Sequence, residues 1–189
     1  FEEEEEVSEE VDARMFGKLF HTVMETLYQP FLNKTIEESM LKSLIDNKQI
    51  IENVLNEAFS IHFFRADGSR KNPTIEGRNR LVFEVIKKMV LQTLRVDMKR
   101  LPFKIVGLEQ KVSATVGIFQ GTKAVRIGGI VDRIDSVSGD IEIIDYKTGT
   151  TDHTFNSLSD LFDQQAKKRN KAAFQTLVYG FIWDKMYSG

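Results

Sequence analysis

The sequence predicts an α+β protein: a mainly helical first half, a β-meander, and one closing helix. Three observations carry this. Apolar residues recur with helical spacing from about residue 9 to 101. At Pro102 the period drops to about two, the signature of strands. Helical spacing then returns from about Lys171 to Met186. Helices followed by a run of strands make an α+β domain with helices packed on a sheet.

Each element has its local reason. Ser8 is a candidate cap for a helix to about Gln29, with Phe16, Leu19, Phe20, Val23 and Leu27 on its apolar stripe and Pro30 at its end. Thr35 and Glu38 form a capping-box pattern for a helix through Asp46. Gln49 to Phe63 carries Ile51, Leu55, Ala58 and Phe59 on one stripe. Asp67-Gly68 signals a turn and Asn72-Pro73 a helix start. The helix from Thr74 to Leu101 would bury Leu81, Val85, Met89 and Leu94. Strands are expected at Phe103–Val116, Ala124–Ile134 and Ile141–Tyr146, the last two joined by the tight turn Ser138-Gly139-Asp140. The expected organisation is an acidic tail or linker at 1–8 and a single domain over 9–189. Within it, 9–101 is helical, 102–149 is the meander, 150–170 a mobile loop and 171–186 the flanking helix. A chain that opens on Phe1 is read as a fragment of something longer.

Composition narrows the chemistry. The absence of cysteine excludes disulfides, zinc–thiolate sites and cysteine-held iron–sulfur clusters. It suits a cytoplasmic location. Any metal must sit on His, Asp, Glu and carbonyl groups, a donor set that favours Mg²⁺ or Mn²⁺. No apolar run reaches the roughly 18 residues of a membrane span. The net charge of −2 means that a nucleic-acid surface has to be a local patch. Lys167, Lys168, Arg169 and Lys171 are the candidate for one. No phosphate-binding nucleotide loop is present, because Gly17-Lys18 is followed by Leu19 and lacks the spaced glycine.

The chemistry-bearing segment is Gly128-Gly129-Ile130-Val131-Asp132-Arg133-Ile134-Asp135, followed by Ile143-Ile144-Asp145-Tyr146-Lys147-Thr148-Gly149. Residues two apart on a strand share a face, so Asp145 and Lys147 point one way and Tyr146 the other. Asp132 is expected near the end of the preceding strand, where a short turn lets it converge with Asp145. An isolated Asp-x-Lys is an ordinary surface pair. This one follows the apolar run Ile141, Ile143 and Ile144, and a buried charge needs a partner or a metal. Arg133 and Asp135 read as a structural pair, and Glu109 as a solvent-facing strand residue or an acid behind the site.

Taken together, Gly-x-x-Asp-Arg-Ile-Asp and Ile-x-Asp-Tyr-Lys-Thr-Gly resemble the core of the RecB-family branch of the PD-(D/E)XK nucleases. Gln175-Thr176-Leu177-Val178-Tyr179 resembles that branch's Gln–Tyr helix, and Gly17-Lys18-Leu19-Phe20-His21 its early histidine helix. Val131 stands where the superfamily name has proline. The resemblance implies a restriction-endonuclease-like core, with a central mixed sheet and meander flanked by helices plus an N-terminal helical region. It implies that Asp132, Asp145, His21 and the backbone carbonyl of Tyr146 ligate Mg²⁺ or Mn²⁺. Lys147 would act on the attacking water as the catalytic partner of Asp132 and Asp145. Gln175, Tyr179 and Lys171 would brace the site or touch DNA, although Tyr179 read alone is equally a core residue. The implied activity is DNA phosphodiester hydrolysis, as an exonuclease acting at DNA ends beside a helicase or ATPase in the parent chain or a partner. The alternative is a catalytically silent nucleic-acid-binding or interaction module of a repair complex.

Overall fold

The computed structural model describes residues 10–64, 74–118, 123–151, 154–163 and 169–187. The expected acidic tail, Ser8, the Asp67-Gly68 turn, Asn72-Pro73, Lys167 and Lys168 lie outside these. The chain divides into two compact units, one of residues 1–31 and 36–102 and the other of residues 32–35 and 103–189.

The first unit is helical. Helix α1 (Ala13–Tyr28) begins later than expected and is capped by Asp12, whose carboxylate accepts the Met15 N–H at 2.6 Å. Its buried residues include Leu19, Phe20, Val23, Met24 and Leu27. The helix ends in a 3₁₀ turn, Gln29–Phe31, around Pro30. Helices α2 (Glu38–Asp46), α3 (Lys48–His62) and α4 (Gly77–Met98) follow. The expected capping box does not form: Glu37 is the N-cap, without a side-chain cap bond. Thr35 and Ile36 instead extend as strand β1 (Thr35–Ile36), and backbone committed to a sheet edge is not free to open a helix.

On α4 the apolar stripe is rotated from the expected one. Leu81 and Val85 are exposed; Phe83, Ile86 and Val90 are buried in their place, together with Leu94 as expected. Both rows have helical spacing. The row containing the phenylalanine removes more apolar surface from water, and Phe83 meets Phe59 of α3 at 6.0 Å between ring centroids. The Tyr28 hydroxyl donates to buried Asp97 at 2.5 Å, and Arg100 donates to the other oxygen of that carboxylate at 2.7 Å.

The second unit is built on β2 (Phe103–Ile118), β3 (Lys123–Val137) and β4 (Asp140–Ile144). With β1 they form one four-stranded sheet in the order β1-β2-β3-β4. The pairs β2–β3 and β3–β4 are antiparallel, so the meander itself contains no parallel neighbour. The β3–β4 connection is the two-residue turn Ser138-Gly139, both with positive φ, 53° and 97°. That is the primed geometry matching the right-handed twist of hairpin strands.

Two helices complete the unit. The segment expected as a loop contains α5 (Leu158–Phe162), whose cap Ser157 accepts the Asp160 N–H. Helix α6 (Lys171–Tyr187) packs on β2, β3 and β4. Its Tyr179 and Ile182 join Val112, Ala114, Val131 and Ile134 in the core. Among the described residues no helix is long and apolar enough to cross a membrane.

Candidate active site

The middle of β3 is buried over every residue from Val131 to Asp135. A strand covered on both sides has to neutralise each charge it carries, and the three charged residues do so differently. Arg133 and Asp135, fully buried, point the same way and form a two-pronged pair at 2.8 and 2.6 Å. The Arg133 guanidinium also donates to the Tyr146 hydroxyl at 3.1 Å and stacks 4.9 Å from the Phe103 ring centroid. Asp132 faces the opposite way by strand alternation, and its carboxylate accepts the Tyr146 backbone N–H at 2.6 Å.

This last bond explains a difference from the sequence reading. Strand β4 ends at Ile144 rather than Tyr146, because the Asp132 side chain, not a strand carbonyl, takes the Tyr146 N–H. Strand β3 itself runs on to Val137. Asp132 is therefore mid-strand, and Asp145 follows the far end of β4, one step beyond the pair Arg133↔Ile144.

Beyond β4 the side chains alternate as expected. Asp145 and Lys147 lie on one side and form an ion pair at 2.5 Å, with Asp145 only 9% exposed. The Tyr146 ring goes to the Arg133 side. Lys147 Nζ also donates to Gln175 Oε1 at 2.9 Å. The Gln175 amide donates to the Tyr179 hydroxyl at 2.9 Å, and that hydroxyl donates to the Ile130 carbonyl at 2.7 Å. Every donor in this chain has one direction available. The Ile130 carbonyl can only accept, which turns the tyrosine proton towards it. The hydroxyl lone pairs then receive the glutamine NH₂, and the glutamine oxygen faces the ammonium. Tyr179 is thus both a core residue, 7% exposed, and a brace.

A glycine makes this possible. A Cβ at Gly129 would lie 2.7 Å from Tyr179 Cε1 and 2.9 Å from its hydroxyl oxygen. The Gly-x-x-Asp spacing therefore reflects the seat of the tyrosine from the Gln–Tyr helix.

Glu109 differs most from its reading as a solvent-facing residue. It is half-buried and holds φ at +43°, left-handed backbone within a strand. The flanking pairs Leu108↔Arg133 and Gln110↔Val131 place it opposite Asp132. Carboxylate oxygens of the two residues lie within 4.8 Å of each other. Strand alternation alone gives no sign of this, since a non-glycine residue with positive φ is not legible as such.

Of the remaining candidates, His21 lies half-buried on α1 in the helical unit. Lys171 is the exposed first residue of α6.

A family model described as the PD-(D/E)XK nuclease superfamily matches residues 2–188. The chain belongs to this superfamily, whose members are divalent-metal nucleases that hydrolyse phosphodiester bonds, and the α+β architecture is consistent with its restriction-endonuclease-like fold. Comparison with curated proteins gives no match, and comparison with solved structures gives none.

The residues present fit a hard divalent cation. Oxygen ligands sit about 2.0–2.6 Å from Mg²⁺ or Ca²⁺, so two of them span at most roughly 4–5 Å across the ion. The Glu109–Asp132 separation falls in that range, and both donors are carboxylate oxygens.

Proposed function

We propose that this chain is a metal-dependent deoxyribonuclease of the RecB-family branch, acting as the exonuclease component of a helicase–nuclease system that processes DNA ends in the cytoplasm. The observation that carries the reading is the two-sided fixation of Lys147, by Asp145 at 2.5 Å and by Gln175 at 2.9 Å. An ammonium has three donors. With two directed at Asp145 and Gln175, the third can meet a phosphate.

A bound divalent cation supplies Lewis-acid polarisation of the phosphate. Asp132, Asp145 and Glu109 are its carboxylate ligands in this reading, with Mg²⁺ as the physiological ion and Mn²⁺ able to replace it. His21 and the Tyr146 backbone carbonyl are further ligands, on the strength of the sequence resemblance. As a water oxygen bonds to phosphorus and gives up its proton to solvent, and the ester P–O bond breaks with the leaving oxygen taking a proton from solvent, negative charge grows on the phosphate oxygens. Lys147, held by Asp145 and Gln175, would meet that charge with its third donor, so little reorganisation is needed at the moment of reaction.

The test is digestion of end-labelled single- and double-stranded DNA by the chain with Mg²⁺, Mn²⁺ or EDTA. Shortening from one end, dependent on metal, is the expected result and gives the polarity. DNA binding without cleavage under every metal condition would put the binding-module reading in its place. His21→Ala, titrated with Mn²⁺ by calorimetry, is expected to bind metal more weakly with its fold intact, and unchanged affinity would remove His21 from the ligand set.

A further inference from the structure

Beside Lys147 the second unit contains an open cavity of about 500 Å³, in the size range of small-ligand sites. Lys147, Arg169 and Lys171 place three cationic side chains on its wall, together with Thr150, Thr151 and Asn170. Among the described residues no acidic side chain lines it. In a chain of net charge −2, such a concentration of one sign is a local feature that suits an anionic occupant. Arg169 and Lys171 are exposed. Among the described residues neither has an ion-pair partner that would account for its position.

The cavity is held in shape by Asn170. Its side-chain oxygen accepts the Ala173 N–H at 2.9 Å, and its amide donates to the Thr154 carbonyl at 3.1 Å. One residue therefore ties the segment after Lys147 to the start of α6. The Thr151 hydroxyl is taken by the Gly149 carbonyl at 3.3 Å, and the Thr150 hydroxyl and the cationic side chains line the same space. Hydroxyls, ammonium and guanidinium groups are the usual donors to phosphate oxygens.

We infer that this cavity is a phosphate-binding subsite for the DNA strand, taking the phosphate next to the one that is cleaved. Arg169 and Lys171 are its charged donors, and Thr150 its hydroxyl donor. This rests on the nuclease reading only for the identity of the strand. The shared wall at Lys147 fixes its place, since one lysine borders both the reacting phosphate and its neighbour. The subsite holds the strand in register with the site, so its contribution is to binding and not to the chemical step.

The test is metal-free binding, which needs no cleavage. Fluorescent single-stranded oligonucleotides with a 5′-phosphate, a 3′-phosphate or neither are titrated with the parent chain and with Arg169→Ala/Lys171→Ala, in EDTA from about 50 to 200 mM salt. Lys42→Ala/Lys48→Ala, which removes two exposed cations from α2 and α3, controls for net charge. Each phosphate contact on a single strand contributes about 0.7 to the slope of log K against log salt. The Arg169/Lys171 variant is expected to lose about 1.4 of that slope and at least about tenfold in affinity, with the control at parental values. A loss on every oligonucleotide identifies an internal phosphodiester, and a loss confined to one phosphorylated end identifies a terminal phosphate. Equal slopes for the two double variants would overturn the subsite. DNA that the parent chain binds in EDTA but leaves uncleaved when Mg²⁺ or Mn²⁺ is added would overturn the nuclease reading and leave the subsite standing.

Discussion

Gly129→Ala tests whether the Gly-x-x-Asp and Gln–Tyr motifs act as one device. The added Cβ would lie 2.7 Å from Tyr179 Cε1. Ordinary carbon–carbon contact begins near about 3.5 Å, so the ring has to retreat by about 0.8 Å. It cannot do so freely, because Tyr179 is packed among Val112, Ala114, Val131 and Ile182. Overpacking of this kind costs about 1–3 kcal/mol. At about 2–4 °C per kcal/mol for a chain of this size, the melting temperature should fall by about 2–12 °C. The same retreat stretches the 2.7 Å bond to the Ile130 carbonyl and loosens Gln175 from Lys147. A catalytic group misplaced by about 1 Å loses about 10²-fold in rate, and the smaller, indirect shift here should cost about 10- to 30-fold. The assay is single-turnover cleavage of end-labelled DNA at saturating Mn²⁺, well below the variant's melting temperature. A lowered melting temperature with an unchanged rate would refute the link from Gly129 to Lys147. Parental values for both would refute the crowding itself.

Other perturbations separate the roles of neighbouring residues. Lys147→Ala should reduce single-turnover cleavage by about 10²–10⁴-fold with Mn²⁺ affinity by calorimetry unchanged, whereas Asp145→Ala should lose both. Arg133→Ala leaves Asp135 buried without its two-pronged partner and should cost about 3–5 kcal/mol in urea unfolding; a loss below about 1 kcal/mol would mean that the pair is not the main neutraliser of β3. The His62 ring accepts or donates a 3.0 Å bond with the Thr22 hydroxyl, and burial, followed by the Lys18 charge, holds its pKa below the ordinary 6.5. Its stabilising contribution is therefore complete above about pH 6.5 and is lost as pH falls through the folded-state value. The fall in melting temperature below pH 6.5 should be shallower in His62→Gln, and identical profiles would exclude His62 as a contributor.

The sequence made the order of elements legible because the change of period at Pro102 is a local signal. The opposite facing of Tyr146 and the Asp145–Lys147 pair was legible for the same reason, since it needs only the alternation of extended backbone. What was not legible depended on partners distant in sequence. Thr35 looked like a helix cap, and only the neighbouring strand shows that its backbone belongs to a sheet. The two apolar rows on α4 have the same spacing, and the Phe59 ring decides between them. Glu109 is the clearest case. Its positive φ reorients a side chain that alternation alone cannot place, and so brings a third carboxylate beside Asp132. Gly129 was readable as part of a motif, but its cause is a tyrosine on α6.

Tyr146 links the two faces of β3. Its backbone N–H is held by Asp132 at 2.6 Å and its hydroxyl by Arg133 at 3.1 Å, so two adjacent β3 residues grip one β4-side residue from opposite faces. Arg133 can offer that hydrogen bond while buried because Asp135 neutralises it from the same face. The residue so fixed stands between Asp145 and Lys147, and its peptide plane sets the direction of both. The Asp-Arg-Ile-Asp run thus performs two tasks by alternation: one carboxylate turned towards Glu109 and the Tyr146 N–H, and one neutral pair turned away to hold the strand end. A side chain that kept the charge of Arg133 without its planar fork could not satisfy Asp135 and Tyr146 together. Lys147 is therefore positioned by two chains of bonds that meet at it, one through the Tyr146 backbone from β3 and one through Gln175 and Tyr179 from α6.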